Sequence, residues 1–198
     1  MIATTPERRE AAILNAELRN FTRLSEVLAP DKVLELANDF FSLCAMTITA
    51  NAGKVLSVQN DMLVGAFATG ARKDFAGKAL KSAQDLQREF GTLGEQWNKD
   101  FGLPAAISAA LHLGEAVFGM AGPIAHQQFV AFGDCISVTE RLVHRARSGE
   151  VILSLDFMKA LGTSAQTLGA EELPSLEIGK RTPIAIYGMA LEKRLDFT

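Results

Sequence analysis

Two acidic residues, Glu17 and Asp61, occupy positions from which a fold could bring their carboxylates together. Glu17 closes the apolar run AAILNAEL, which we interpret as a buried strand, and Asp61 follows Asn60 at the tight turn between KVLSVQ and MLVGAFAT. Two short apolar runs joined by a polar pair are typical of a β-hairpin. Because hard cations prefer carboxylate and phosphate oxygens, the two acids predict a magnesium site. Either acid alone would also be typical of a solvated strand end.

Three further segments could handle phosphate. Residues 19–22, Arg-Asn-Phe-Thr, follow Glu17 and lead into helical sequence, so their backbone N–H groups could hold a phosphate. Ser137 and Arg141 are four residues apart in a predicted helix and share one face, where the guanidinium could bind phosphate through two hydrogen bonds. Lys180 lies in a Gly-Lys turn. Taken singly, these residues are equally typical of a solvated surface.

The bulk composition limits the classes of function. The chain of 198 residues has a net charge of -3 and no basic stripe, so we predict no nucleic-acid partner. No continuous apolar run approaches the ~20 residues that span a bilayer. The N-terminal segment MIATTPERRE lacks the apolar stretch of a signal peptide. We therefore expect no membrane insertion and a cytoplasmic location.

Several enzyme classes find no support in the sequence. It contains no nucleophile elbow, no Walker lysine loop and no dinucleotide-binding glycine pattern. Neither Cys44 nor Cys135 has a neighbouring cysteine or histidine at a zinc-ligand spacing, and we interpret both as buried free thiols. His112, His126 and His144 form no ligand spacing, and His112 in its apolar strand is expected to be packed.

Hydrophobic periodicity predicts the elements that must position these residues. Helices are expected from Pro30 to Gly53, over 74–100 and over 134–147. Gly91 and Gly94 could interrupt the second of these helices. Residues 19–26 are expected to form a loop, Gly114 a turn between two strands, and LEIGKRTPIAIYGMAL a final hairpin. The order β-α-β-β-α-β, followed by β, α, β, a short helix and a hairpin, favours an α+β layered sandwich. No linker divides residues 1–198, which predicts a single domain.

Five segments fall in the order of one known family. RREAAILNAELRNFTRLSE resembles the opening of class III adenylate and guanylate cyclase domains, where a strand ends in an aspartate and a phosphate loop follows. VLSVQNDMLVGAF resembles the family's hairpin, and QFVAFGDCISVTERL resembles the stretch that holds Gly-Asp and then an arginine. SGEVILSLDFMKAL and EIGKRTPIAIYGM resemble the strand and helix that follow and the closing hairpin. The resemblance covers residues 8–190, the core of the expected domain.

The resemblance implies a ferredoxin-like βαββαβ core with additional strands and helices, the class III nucleotide cyclase fold. It also implies a head-to-tail dimer, with a second copy or with another cyclase domain, whose sites lie between two chains. One chain would bind two Mg²⁺ or Mn²⁺ ions and the triphosphate, and the other would read the base and stabilise the transition state. In the family's pattern, Glu17 and Asp61 would bind the metal ions, and Phe21 and Thr22 would form the phosphate loop. Ser57 and Val130 would recognise the base, Ser137 and Arg141 would stabilise the transition state, and Lys180 would bind a phosphate.

Several of these positions depart from the family's pattern. Glu17 replaces an aspartate, and a misplacement of about an ångström can cost ~100-fold in rate. Ser57 stands at the adenine-selecting lysine, and Val130 at its polar partner. Ser137 replaces the asparagine that orients the ribose, and Asn60 replaces the glycine before the second metal acid. An apolar contact discriminates bases weakly, so neither ATP nor GTP specificity follows.

The sequence supports two functional hypotheses. In the first, the chain is a nucleotidyl cyclase that converts ATP or GTP into a 3′,5′-cyclic nucleotide and pyrophosphate. In the second, it is a catalytically weak or inactive cyclase-like domain that acts as a dimerising, nucleotide-binding or regulatory module. The retained acids, Arg141 and Lys180 favour the first, and the changes at Ser57, Val130 and Ser137 favour the second.

Overall fold

In the computed structural model, which describes residues 5–179 and 181–190, an eight-stranded sheet carries six α-helices. The strands are β1 (Glu7–Arg19), β2 (Lys54–Gln59), β3 (Met62–Phe67), β4 (Ala106–Ala121), β5 (Gln128–Phe132), β6 (Glu150–Ser154), β7 (Glu171–Leu176) and β8 (Ile184–Ala190). The helices are α1 (Phe21–Val27), α2 (Pro30–Ala50), α3 (Arg72–Phe101), α4 (Asp134–Val143), α5 (Leu155–Leu161) and α6 (Ala165–Leu168).

The first four strands form an antiparallel unit in the spatial order β4-β1-β3-β2. Helices α1 and α2 connect β1 to β2, and α3 connects β3 to β4, which is the βαββαβ connectivity of a ferredoxin-like core. The sheet continues from β4 through β6, β8 and β7, while β5 pairs with the other end of β4. The predicted α+β fold with a ferredoxin-like core and additional elements is confirmed.

Alternation along β1 separates the two faces of the sheet. Its even-numbered residues from Ala12 to Leu18 lie in the large core beneath α2, α3 and α5. The odd-numbered Ala11 and Ile13 lie on the opposite face with Cys135 of α4. Glu17 continues the odd-numbered series, so the pleat directs its side chain to the face that α4 covers.

Strand β4 runs without a break through Gly114, where the sequence predicted a turn between two strands. Gly114 pairs with Ala11 of β1, and a Cβ atom at Gly114 would lie 2.7 Å from the Cβ atom of Cys135. Glycine is therefore required there because α4 approaches the sheet closely, which is a common reason for glycine inside a strand. The prediction of a turn was wrong because glycine is favoured both at turns and where another element packs closely against a strand, so a glycine alone does not distinguish the two.

Three other local predictions were also wrong. Residues 21–27 form helix α1 rather than a loop, and α3 continues through Gly91 and Gly94 without interruption. At Gly94 a Cβ atom would lie only 3.0 Å from the carbonyl oxygen of Ala105, so packing again explains the glycine. In the final hairpin, β7 ends at Leu176, where the prediction began it. Pro174 and two glutamates obscure the apolar pattern of this edge strand.

Helix α2 is long enough and apolar enough to cross a membrane by length and composition alone. This differs from the sequence prediction, which considered only uninterrupted apolar runs. Phe40, Cys44 and Ile48 of α2 are fully buried in the large core, where the helix packs against α3 and β2. The core helix of a globular domain passes the same test, and these contacts account for the buried apolar residues of α2, whereas Leu34 and Met46 are exposed.

Candidate active site

Glu17 and Asp61 line one open cleft of about 500 Å³. Glu17 pairs with Met62 across β1 and β3, and the backbone N–H of Leu18 donates a hydrogen bond of 2.8 Å to the carbonyl oxygen of Asp61. The end of β1 and the tip of the β2–β3 hairpin therefore meet, as predicted from the positions of the two acids at a strand end and at a hairpin turn. Arg19, Phe21 and Thr22 line the same cleft.

Two asparagines in the left-handed region of backbone conformation lie beside the residues that form this cleft. Asn20 has φ 68° and Asn60 has φ 48°, a conformation that asparagine tolerates better than most residues. The Nδ2 atom of Asn20 donates a hydrogen bond of 2.8 Å to the carbonyl oxygen of Pro104, which anchors the start of α1. Asn60 can therefore form the tight hairpin turn without the glycine of the family's pattern.

Glu17 is only 8% exposed, and its carboxylate has two positively charged or titratable neighbours. The Nη1 atom of Arg19 donates a hydrogen bond of 2.7 Å to Oε1, and Nδ1 of His144 lies 3.3 Å from Oε2. Oε2 is buried and makes no hydrogen bond with the described residues. Protein atoms thus leave part of the acceptor capacity of this carboxylate unused.

This arrangement fits a divalent cation bound by few protein ligands. Glu17 and Asp61 supply carboxylate oxygens at the wall of an open cleft, and Mg²⁺ commonly takes one or two carboxylates together with substrate phosphates and water. The described residues contain no group of three or more histidine, cysteine, aspartate or glutamate side chains that could hold a metal ion alone. Phosphate oxygens from a substrate would therefore have to complete the coordination.

Ser137 and Arg141 lie on the exposed side of α4, while Val138 and Leu142 anchor the helix to the sheet. Neither residue lines the cleft that contains Glu17 and Asp61. Within one chain, the two acids therefore lie in one cleft, whereas Ser137 and Arg141 of α4 lie outside it.

The two positions expected to read the base lie on strands that contact each other but are not paired in the sheet. Ser57 of β2 and Val130 of β5 are both half-buried, and β2 and β5 contact each other. Beside them, the Nζ atom of Lys54 lies 3.2 Å from the ring centroid of Phe129, a cation–π contact that joins the same two strands. The side chain of Val130 has no donor or acceptor that could form a hydrogen bond with a nucleotide base.

Lys180 lies outside the described residues, but its neighbour Arg181 makes a defined contact. Arg181 donates hydrogen bonds of 2.5 and 2.8 Å to the two carboxylate oxygens of Asp134, the first residue of α4. These hydrogen bonds hold the pKa of Asp134 below its ordinary value. The segment after β7 is therefore tied to the start of α4.

Sequence reasoning did not predict that Arg19 and His144 contact the carboxylate of Glu17. Arg19 stands two positions after Glu17 on one strand, and that spacing could have identified it. His144 is distant in sequence, so no local pattern could have identified it. The two cysteines are buried free thiols, as predicted, and burial raises the pKa of Cys135 to about 11.

Comparison with known proteins relates this geometry to one family. The family model for the adenylate and guanylate cyclase catalytic domain matches residues 4–189. Adenylate cyclase 1 of Rhizobium meliloti (strain 1021) is 25% identical over 137 residues, which are 68% of this chain and 20% of that protein. The match thus spans about a fifth of the length of that relative.

Solved structures share the fold. The adenylyl cyclase CyaB from P. aeruginosa superimposes with a TM-score of 0.85 at 18% identity, covering 97% of this chain and all (100%) of the other. A non-canonical dimeric guanylyl cyclase domain of a RhoGC fusion protein from Blastocladiella emersonii gives a TM-score of 0.76 at 14% identity, covering 94% of this chain and 98% of the other.

Proposed function

Because this chain belongs to the family of adenylate and guanylate cyclase catalytic domains, we propose that it converts ATP or GTP into the 3′,5′-cyclic nucleotide and pyrophosphate. The observation that carries the proposal is the meeting of Glu17 and Asp61 in one open cleft. The family match favours this function over an inactive dimerising or nucleotide-binding module.

Glu17 and Asp61 would hold Mg²⁺ or Mn²⁺, and Phe21 and Thr22 lie where the phosphates would enter the cleft. When bound, the cations would neutralise the triphosphate and lower the pKa of the ribose 3′-hydroxyl. The 3′-oxygen forms a bond to the α-phosphorus, its proton leaves to solvent, and the bond to the β-phosphate breaks to release pyrophosphate. Arg141 and Lys180 would stabilise the charge that develops on the phosphates.

We propose that the complete site needs a second chain, either another copy or a different cyclase domain. Ser137 and Arg141 are exposed and lie outside the cleft that holds the acids of their own chain. A head-to-tail dimer would bring α4 of one chain to the cleft of the other. A similar solved guanylyl cyclase domain forms a non-canonical dimer, which supports the need for a second chain; the head-to-tail orientation is part of our proposal.

We expect weak discrimination between bases. Ser57 offers a single hydroxyl and Val130 offers no hydrogen bond, whereas strong selection requires buried polar groups that a wrong base would leave unpaired. ATP and GTP should therefore both be accepted, with similar kcat/KM values.

We further propose that residues 1–198 form a single domain that functions in the cytoplasm. The family match over residues 4–189 and the burial of the apolar side of α2 in the core support this proposal.

The test is incubation of the purified protein with Mn²⁺ and ATP, GTP, CTP or UTP, followed by chromatography for a cyclic product. Glu17→Ala and Asp61→Ala should abolish product formation, while Asp39→Ala, which removes an exposed acid of α2, should not. Absence of product from every nucleotide would refute the proposal. A metal-dependent shift in Tm with nucleotide but without turnover would instead establish the binding-module hypothesis.

A further inference from the structure

Buried polar atoms without hydrogen-bond partners gather around Glu17. In the described part of the chain, five buried side-chain atoms lack a partner, and three of them belong to Asn15 (Oδ1), Glu17 (Oε2) and Ser108 (Oγ). Asn15 is 1% exposed and Ser108 is fully buried. A buried polar group without a partner is unfavourable, so a cluster of three calls for an explanation.

The strand register places these three side chains side by side. Glu17 of β1 is the direct partner of Ser108 of β4, and opposed residues in an antiparallel pair have Cβ atoms about 4.5–5.5 Å apart. Asn15 precedes Glu17 by two residues and therefore lies on the same face. Its partner Ala110 packs with Val138 and Leu142, so this face is the one that α4 covers.

The surroundings of Glu17 are therefore divided into two sides. Oε1 accepts a hydrogen bond from Arg19 at the cleft, whereas Oε2 is buried, with Nδ1 of His144 3.3 Å away and Ser108 directly across the strand pair. Among the described residues, Asn15 Oδ1 and Ser108 Oγ have no hydrogen-bond partner, and Oε2 has only this contact with His144.

We propose that Asn15 and Ser108 are positioning residues that aim Glu17 at the cation through one buried water molecule. The water donates one hydrogen bond to Glu17 Oε2 and one to Asn15 Oδ1, and it accepts the hydroxyl proton of Ser108. Three hydrogen bonds are the usual number for a buried water, and this set satisfies all three atoms. Because the water holds Oε2, Oε1 stays directed at the cleft, where a metal ion would have to displace the hydrogen bond from Arg19.

This role rests on the proposed cyclase function and explains how a glutamate can serve at an aspartate position. The additional methylene group gives the carboxylate a longer reach and more rotamers. A fixed hydrogen bond on Oε2 removes that freedom, and such outer-sphere contacts typically change metal affinity by about 10–100-fold.

The chain offers a matched control for testing this inference. Ser82 of α3 is also fully buried with an unpartnered hydroxyl, but it lies among the residues of the large core on the opposite face. Ser108→Ala and Ser82→Ala therefore make the same chemical change at the same degree of burial. Asn15→Leu, which keeps the branched shape and removes the amide, provides a second variant at the cluster.

The measurement is an electron paramagnetic resonance titration of each dimeric protein with Mn²⁺ alone, together with its Tm and the Mn²⁺ concentration for half-maximal cyclase activity. We expect Ser108→Ala and Asn15→Leu to weaken Mn²⁺ binding about 10-fold while Ser82→Ala leaves it unchanged. Tm should change little in Ser108→Ala, because the loss of one hydrogen bond to the water is offset by the removal of a hydroxyl from the buried face. A purely structural role would move Tm and leave Mn²⁺ affinity unaltered.

Two outcomes would overturn the inference, and they differ in what else they affect. If Glu17→Gln loses Mn²⁺ while Ser108→Ala binds it as Ser82→Ala does, the positioning role falls and the cyclase function stands. If Glu17→Gln binds Mn²⁺ as well as the unaltered protein does, the metal site of the proposed function fails and the positioning role fails with it.

Discussion

Arg19 Nη1 lies 2.7 Å from Oε1 of Glu17, two residues earlier on the same strand, at the wall of the cleft that also contains Asp61. The guanidinium thus occupies the oxygen that a cation at this site would use. Arg19 is itself only partly exposed, so solvent screens the contact incompletely.

Replacing Arg19 with methionine should tighten Mn²⁺ binding, because the substitution removes a positive charge that competes for Oε1. We expect a gain of about two- to fivefold, the range allowed by an ion pair that contributes up to ~1 kcal/mol. Calorimetric titration with Mn²⁺ measures the change. Arg23→Met is the control, since Arg23 lines the same cleft but is exposed on α1. Weaker binding in Arg19→Met would show that Arg19 orients the carboxylate rather than competing with the metal ion.

Ser137→Asn should raise kcat, because the longer side chain carries an amide that can reach the ribose from the exposed side of α4. One added hydrogen bond of about 0.5–1.5 kcal/mol in the transition state corresponds to a gain of about two- to tenfold. Steady-state kinetics with Mn²⁺-ATP and Mn²⁺-GTP measure the gain. Ser42→Asn, an exposed change on α2, should leave kcat unaltered. No gain in Ser137→Asn would argue against a ribose contact at this position.

Gly114→Ala should destabilise the fold, because its Cβ atom would lie 2.7 Å from the Cβ atom of Cys135. Overpacking of this kind costs about 1–3 kcal/mol, and each kcal/mol lowers Tm by about 2–4 °C in a chain of this size. Gly77→Ala in α3 is the matched control, since no atom lies within 4 Å of its Cβ position. That helical substitution should stabilise the protein by about 0.5–1 kcal/mol. Equal Tm values for the two variants would contradict the close approach of α4 to β4.

The stability of the protein should decrease as the pH falls below neutrality, partly through His112. Burial lowers the pKa of His112, against the raising influence of Asp156 and Asp134, and Nδ1 lies 2.8 Å from the hydroxyl of Ser154. As the pH falls through the ordinary pKa of histidine near 6.5, the unfolded chain binds a proton that the folded chain binds less readily. Urea unfolding at pH 7.5 and 5.5 measures the loss of stability, which should be smaller in His112→Asn. An identical pH dependence in that variant would exclude His112 as its source.

Local patterns were sufficient to predict several features of this protein. The apolar run before Glu17 and the polar pair at Asn60 and Asp61 predicted the strand and the hairpin, and the meeting of the two acids followed from those elements. The order of the elements predicted the α+β fold. These predictions succeeded because side-chain alternation and turn chemistry are properties of a few consecutive residues.

The neighbours of Glu17 depend on the tertiary structure. His144 and Ser108 are far from Glu17 in sequence, and only the pairing of β1 with β4 and the packing of α4 bring them to its carboxylate. The same packing decided that Gly114 belongs to a continuous strand. The residue types and their local periodicity can be read from the sequence. Burial and cross-strand register arise only when the strands pair and α4 packs on the sheet. Burial and register then determine which charged groups and hydroxyl groups share a site.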